Sequence, residues 1–432
     1  MFLEPDIMHA IINGRIVLPD KVLDGCVLLF DKKITGIVSR ETLDTVWKNG
    51  KCWQGKPLEL TDACGAYVSP GFINLHIHGC SGADTMDADE NALPVMSRFL
   101  VQTGVTSFLP ATMTCEVPAI RKALSRIRET MTRITRRRDE KREPLLSDNN
   151  PVNETAAPDH GLLPGAKVLG AYLEGPFISS AYKGAQKEEY VLPADFTLIQ
   201  DFTDVVKVVV LAPETLGQDP GRRQAFIRQC KAYNIIISLG HSAADYDIAL
   251  QATEAGASHV THLCNAMTGL HHRQPGLLGA ALDTDVTCEL IADNLHVHPA
   301  VQRLIYHIKG AEGIELITDS MRACGLPDGV SELGGQAVYV KDGAARLADG
   351  TLAGSVVTLN RAMTNFRKNT GATVPEVVRM VTENQAQELG LFEKIGSLTP
   401  GAAADVTVFD EEFRILRTFV DGCKVYNNPD LR

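Results

Sequence analysis

The chain has 432 residues, 44% of them hydrophobic and 22% charged, which suits one large domain with an accessory part or two to three ordinary ones. A formal charge of -11 argues against a general binder of nucleic acid or anionic membrane, and leaves room for an anionic small ligand in a local pocket. Ten scattered cysteines, an acidic N-terminus unlike a signal peptide and no apolar run of membrane-spanning length predict a cytoplasmic protein with reduced thiols.

Residues 9–39, HAIINGRIVLPDKVLDGCVLLFDKKITGIVS, are short β-rich runs broken by Asn-Gly, Pro-Asp and Asp-Gly turn signals. The far end, GAAADVTVFDEEFRILRTFVDGCKVYNN, has the same texture. Together they predict a small β-sandwich domain built from both termini, residues 1–68 and 394–432. Between them lie eight apolar, β-branched runs with helical patterns between most of them: VSPGFINLHIH, VTSFLPAT, VLGAYLE, VVKVVVLA, IIISLGH, HVTHLC, CELIAD and IELITD. Eight strand–helix repeats predict an α/β fold, a (β/α)₈ TIM-like barrel over residues 69–393, with an open doubly wound sheet as the alternative. The helix in HPAVQRLIYHIKG starts at Pro299, places Val301, Leu304, Ile305 and Ile308 on one apolar stripe, and stops at Gly310. Residues 133–164 are polar and turn-rich, and read as a partly disordered surface insertion between the second and third strands. Its basic cluster, Arg136 to Arg138 with Lys141 and Arg142, is interrupted by acids and reads as a solvated loop.

In such barrels the active site forms at the C-terminal ends of the strands. His76 and His78 end the first strand, and the two-residue period of a strand puts both on one face. Glu174 ends the third, His241 the fifth, His262 the sixth and Asp319 the eighth. Each alone has an ordinary structural reading: a satisfied core pair, a turn or helix cap, a loop histidine. Their shared place at one end of five strands points instead to a metal-dependent hydrolase. His259 is a rival to His262, and alternation in HVTHL turns only one of them inward. His296 follows strand seven at the same end and is a candidate ligand contact, while His298 helps start the next helix. His271 and His272 read as structural, and His9, His160 and His307 carry no assigned chemistry. Nitrogen and oxygen donors without thiolate suit Zn²⁺, Fe²⁺, Mn²⁺ or Co²⁺. A cation so held acidifies water, and a free carboxylate, Asp319, is placed to take and return the proton. Glu174, between the two histidine groups, is placed to bridge two ions.

The combination of HxH, LEGPF, LAPE, LGHS, THLCNAM, HHRQPG, ITDS and SLTPGAAADVTVFD resembles the N-acetylglucosamine-6-phosphate deacetylase family of the amidohydrolase superfamily, over almost the whole chain outside the insertion. The resemblance implies one or two divalent ions per subunit. Glu174, His241 and His262 match the retained metal ligands, His76 and His78 the ligands of a second ion, and Asp319 the catalytic acid/base. It implies substrate contacts from Asn265, Ala266 and His296. It also implies a homodimer in which Arg273 reaches the phosphate in the neighbouring active site, where a guanidinium forms a bidentate fork. Two positions depart from the family pattern. Gln186, in KGAQ, replaces a histidine that helps polarise the acetyl carbonyl, and Gln274 stands in HRQPG where glutamate is usual. The expected substrate is N-acetylglucosamine 6-phosphate, hydrolysed to glucosamine 6-phosphate and acetate. The rivals are a deacetylase for N-acetylgalactosamine 6-phosphate, a cyclic amidase or deaminase on the same scaffold, and a catalytically silent binding protein.

Overall fold

The computed structural model describes residues 7–48, 51–140, 165–217 and 219–429. Its centre is a curled parallel sheet, with strands numbered in chain order: β1 (Phe72–Ile77), β2 (Val105–Pro110), β3 in two pieces (Lys167–Val168 and Ala171–Leu173), β4 (Val206–Leu211), β5 (Ile236–Leu239), β6 (His259–Val260), β7 (Thr287–Ile291) and β8 (Ile314–Ile317). Two arcs form it. β1 pairs with β2, and β2 with the first piece of β3; the second piece of β3 starts the run through β4, β5, β6 and β7 to β8. Isolated parallel bridges, Ala111 to Tyr172 and Ile77 to Ser320, connect the arcs at both ends.

Parallel strands are covered on both faces, and β4, VKVVVL, reads accordingly as a near-continuous apolar run. Helices supply the outer layer. Leu359–Thr370 buries Leu359, Ala362, Met363 and Phe366, the i, i+3, i+4, i+7 spacing of one helical face, each large side chain contributing about 1.5–3 kcal/mol, and it ends at left-handed Gly371. Tyr246–Ala255 is capped at its start, with the Asp245 carboxylate accepting from the Ile248 N–H. No α-helix separates β3 from β4, where short 3₁₀ turns run from Ser180 to Phe202.

Several expectations need correction. Pro299–Lys309 is helical and His298 caps it, accepting from the Ala300 N–H, but Leu304 and Ile308 are exposed. The inward face is Ile305 with Gln302, whose amide bonds the Val297 carbonyl, Asn294 and Asn369. A fully paired amide competes with leucine for that position. The expected insertion begins too early, because the helix Val117–Glu140 runs through its first eight residues; positions 141–164, including His160, lie outside the described residues. Unforeseen was a three-stranded antiparallel sheet after β8 (Gly329–Leu333, Gln336–Lys341, Ala344–Arg346).

The terminal segments form two further sheets. One joins Met8–Ile12, Cys26–Phe30, Ile34–Ser39, Cys52–Trp53 and Lys56–Asp62. The other interleaves Arg15–Val17, Val22–Leu23 and Tyr67–Pro70 with C-terminal Val406–Phe409, Ile415–Val420 and Cys423–Asn427. They share an apolar cluster that includes Phe30, Val68, Val408 and Phe419. No helix among the described residues is long and apolar enough to cross a membrane.

Candidate active site

The polar residues that end the strands converge. On β1 the alternation holds: Ile73, Leu75 and Ile77 join the apolar core, while the Asn74 amide donates to Thr318 and His76 stacks on Tyr172 at 4.2 Å. Glu174 follows β3 directly. The next residue, Gly175, has φ +72 and packs so tightly that a Cβ would fall 1.9 Å from Thr114 Oγ1, so only glycine lets the chain turn here. His241, His262 and Asp319 lie just past the ends of β5, β6 and β8 with φ of 45°, 29° and 45°. Left-handed backbone at a non-glycine residue costs about 1–3 kcal/mol and persists only where its surroundings hold it. They do: the His241 carbonyl accepts from Ser179, the His262 carbonyl from Asn265, and Asp319 donates to the His76 carbonyl while accepting from Ser355. Glu214, in LAPE after β4, steadies the His241 loop by accepting from Ser242 Oγ and the Ala243 N–H.

Glu174 is the hub. Its Oε1 lies 3.1 Å from both His241 Nε2 and His262 Nε2, which are 3.0 Å apart, and its Oε2 lies 2.9 Å from His78 Nε2. His76 Nε2 is 3.6 Å from Glu174 Oε1 and from Asp319 Oδ1, and His78 Nε2 is 3.2 Å from Asp319 Oδ1. Two donor sets result, His76–His78–Glu174 and Glu174–His241–His262, each with its ligand atoms within 4.8 Å of one another. The donor set fits a divalent cation. Nε2 of His76 is buried without a hydrogen-bond partner, and the three lone-pair-bearing atoms of the second set converge on one point. Charge says the same. Burial drives Glu174 towards neutrality, but His76 and His78 hold it well below the usual carboxylate range. Burial lowers His78, and Glu174 and Asp319 more than offset this, raising it to about 10. Clustered carboxylates thus demand positive charge, supplied by protons where a cation is lacking.

Beneath the mouth lies a polar layer that sequence reasoning missed. Glu289 on β7 accepts from His76 Nδ1, and Glu315 on β8 pairs with His259 Nε2 at 3.1 Å, while His259 Nδ1 meets Ser238 Oγ. Alternation was expected to turn only one of His259 and His262 inward. Instead both join the interior polar network at different levels, because β6 ends at Val260 and the positive φ of His262 resets the alternation. The signal available was the single acid inside each of the apolar runs CELI and IELI.

Above the donor sets a cavity of about 220 Å³ is lined by His78, Glu174, His241, His262 and Asp319, and also by Gln186, Asn265, Ala266 and His296. Asn265 donates to the His262 and Leu263 carbonyls, and the Ala266 carbonyl accepts from Ser242. Gln186 accepts from the Thr114 N–H and donates to Glu174 Oε2 at 2.9 Å, so it is spent in part on holding the hub. Met113, Leu333 and Leu352 give the cavity an apolar side. Arg273 is exposed, beside His272, and does not line this cavity. His296 Nδ1 meets Asp293 at 2.6 Å; burial lowers the imidazole's pKa, and Asp293 more than reverses this.

The chain belongs to the amidohydrolase family, whose model matches residues 67–425. Among curated relatives, the N-acetylglucosamine-6-phosphate deacetylase of Bacillus subtilis (strain 168) is 40% identical over 84% of this chain and 86% of its own. The N-acetylgalactosamine-6-phosphate deacetylase of Escherichia coli O157:H7 is 36% identical over 85% and 89%. The crystal structure of N-acetylglucosamine-6-phosphate deacetylase from Pasteurella multocida superposes with a TM-score of 0.82 at 30% identity, covering 98% of this chain and all of that one.

Proposed function

We propose that the protein hydrolyses the acetamide of N-acetylglucosamine 6-phosphate to glucosamine 6-phosphate and acetate, in the breakdown of amino sugars. The observation that carries this reading is the meeting of Asp319 with the two donor sets at the floor of one cavity. A divalent cation bound there supplies an acidified water and positive charge for the developing oxyanion. Asp319 supplies the proton traffic. Burial raises its pKa, and where no cation is bound His76 and His78 more than offset this, holding it below the usual carboxylate value. It takes a proton as the carbonyl carbon is attacked, and delivers it to the nitrogen as the C–N bond breaks. Gln186 keeps Glu174 oriented, while Asn265, Ala266 and His296 position the sugar phosphate. The metal identity is Zn, Fe, Mn or Co, in one or two ions per subunit.

The active form we infer is a cytoplasmic homodimer in which Arg273 reaches the phosphate bound in the neighbouring subunit. Its exposed place outside its own cavity and the free state of all ten thiols support this picture. The two arcs of the central sheet are read as one (β/α)₈ barrel over 69–393, supported by the bridges at both ends. The terminal sheets, 1–68 and 394–432, are read as a small β-sandwich around their shared cluster.

Arg273→Ala is expected to raise KM roughly 10- to 100-fold with kcat nearly kept, since a charged hydrogen bond to phosphate acts before and during reaction alike. An unchanged KM removes Arg273 from the phosphate site. His296, its pKa lowered by burial but raised further by Asp293, gives a pH test. Above pH 7 the phosphate is already dianionic, so KM should climb as pH rises through the raised pKa of His296. Asp293→Asn should move that climb to lower pH, and superimposable profiles for the two proteins contradict the assignment.

The deciding assay is a panel of acylated amino-sugar phosphates, with both the gluco and galacto epimers, on metal-reconstituted enzyme. Acetate release fastest with the gluco compound is expected. Faster turnover of the galacto compound assigns the other epimer, and ammonia release from cyclic bases without acetate release refutes the deacetylase reading.

A further inference from the structure

Of the four imidazoles in the donor sets, His241 is backed by the Tyr182 carbonyl, while Nδ1 of His78 and of His262 has no hydrogen-bond partner. Only His76 is backed by a carboxylate. Glu289 is fully buried on β7, and its Oε2 accepts three hydrogen bonds: from His76 Nδ1 at 3.0 Å, from Thr261 Oγ1 at 2.9 Å and from the His262 backbone N–H at 3.1 Å. Its Oε1 has no partner, and His259 Nε2 stands 4.0 Å from it. One carboxylate oxygen therefore touches both donor sets from below, His76 in one and the backbone of His262 in the other.

We propose that Glu289 is a positioning residue that sets the affinity of the His76–His78–Glu174 ion site and couples it to the Glu174–His241–His262 site. The inference rests on the metal-centre reading given above. By accepting the Nδ1 proton, Glu289 fixes the His76 tautomer and leaves the Nε2 lone pair facing Glu174 and Asp319. Its negative charge makes that nitrogen a better donor to a cation. Its bond to the His262 N–H helps hold that residue in left-handed backbone, aiming the second set's imidazole at Glu174. The fully buried charge has no lysine or arginine among these partners, so part of its compensation falls to the ions.

The test compares wild-type protein, Glu289→Gln and Glu315→Gln, each stripped of metal and titrated calorimetrically with Zn²⁺, with bound ions counted after dialysis. Wild type is expected to hold two ions. Glu289→Gln is expected to bind one of them about 10- to 100-fold more weakly and to lose it on dialysis. Glu315 is equally buried on the adjacent strand but bonds only His259, so Glu315→Gln should bind like wild type. Thr261→Val, which removes one of the three donors, should weaken the same ion several-fold and decides the matter if Glu289→Gln does not fold. Two unchanged affinities in Glu289→Gln overturn the proposal, as do unchanged affinities in Thr261→Val or an equal loss in Glu315→Gln. Wild type holding a single ion overturns it while leaving the metal centre standing; wild type holding none refutes the metal centre itself.

Discussion

Asp319→Asn is expected to stay folded and metal-loaded while kcat falls by about 10²- to 10⁴-fold, the usual worth of a general acid–base group. The amide has nearly the carboxylate's shape, so the left-handed turn after β8, fixed by hydrogen bonds to the His76 carbonyl and from Ser355, should survive. What disappears is the capacity to accept a proton. Asp319 lines the cavity and lies 3.2 Å from His78 Nε2, beside the donor sets. On the proposed role in proton transfer rather than in holding the sugar, KM should change little. Near-normal turnover at unchanged metal content would remove Asp319 from the chemistry.

Glu174→Gln should act differently, by emptying the site. Glu174 is the one residue common to both donor sets, with one oxygen towards His241 and His262 and the other towards His78. Loss of its charge leaves four imidazoles facing one another around a neutral amide, and the cations lose their shared anionic ligand. Both metal content and acetate release should fall to background together. The contrast with Asp319→Asn is diagnostic: one variant keeps metal and loses turnover, the other loses both. A Glu174→Gln protein that retains two ions contradicts the role given to the hub.

Much of this site was legible because strand ends are legible. An apolar β-branched run fixes where a strand stops, and His76, His78, Glu174, His241, His262 and Asp319 each stand at such a stop. Alternation alone paired His76 with His78, and it survives an irregular register against β2 between Asn74 and Ile77, for Ile73, Leu75 and Ile77 still join the apolar core. It failed at His259 and His262, because a two-residue period means nothing once the strand has ended and φ has changed sign. Nothing in the residue types at 241, 262 and 319 announces left-handed backbone; tertiary hydrogen bonds impose it. Glu289 and Glu315 were hidden for another reason. One acid in a β run ordinarily reads as a solvent-facing position, and only the curling of the sheet around an interior polar layer gives it buried partners. The same holds for Gln302, whose buried amide displaced the expected apolar stripe by one helical face.

The most direct measurement follows acetate release from N-acetylglucosamine 6-phosphate while metal-stripped protein is titrated with Zn²⁺, and in parallel with Mn²⁺, Fe²⁺ and Co²⁺. The predicted result is no release before cation is added and activity that saturates at one or two equivalents per chain with at least one of the four. Full release in the continued presence of a strong chelator, or none with any of these ions, would contradict it.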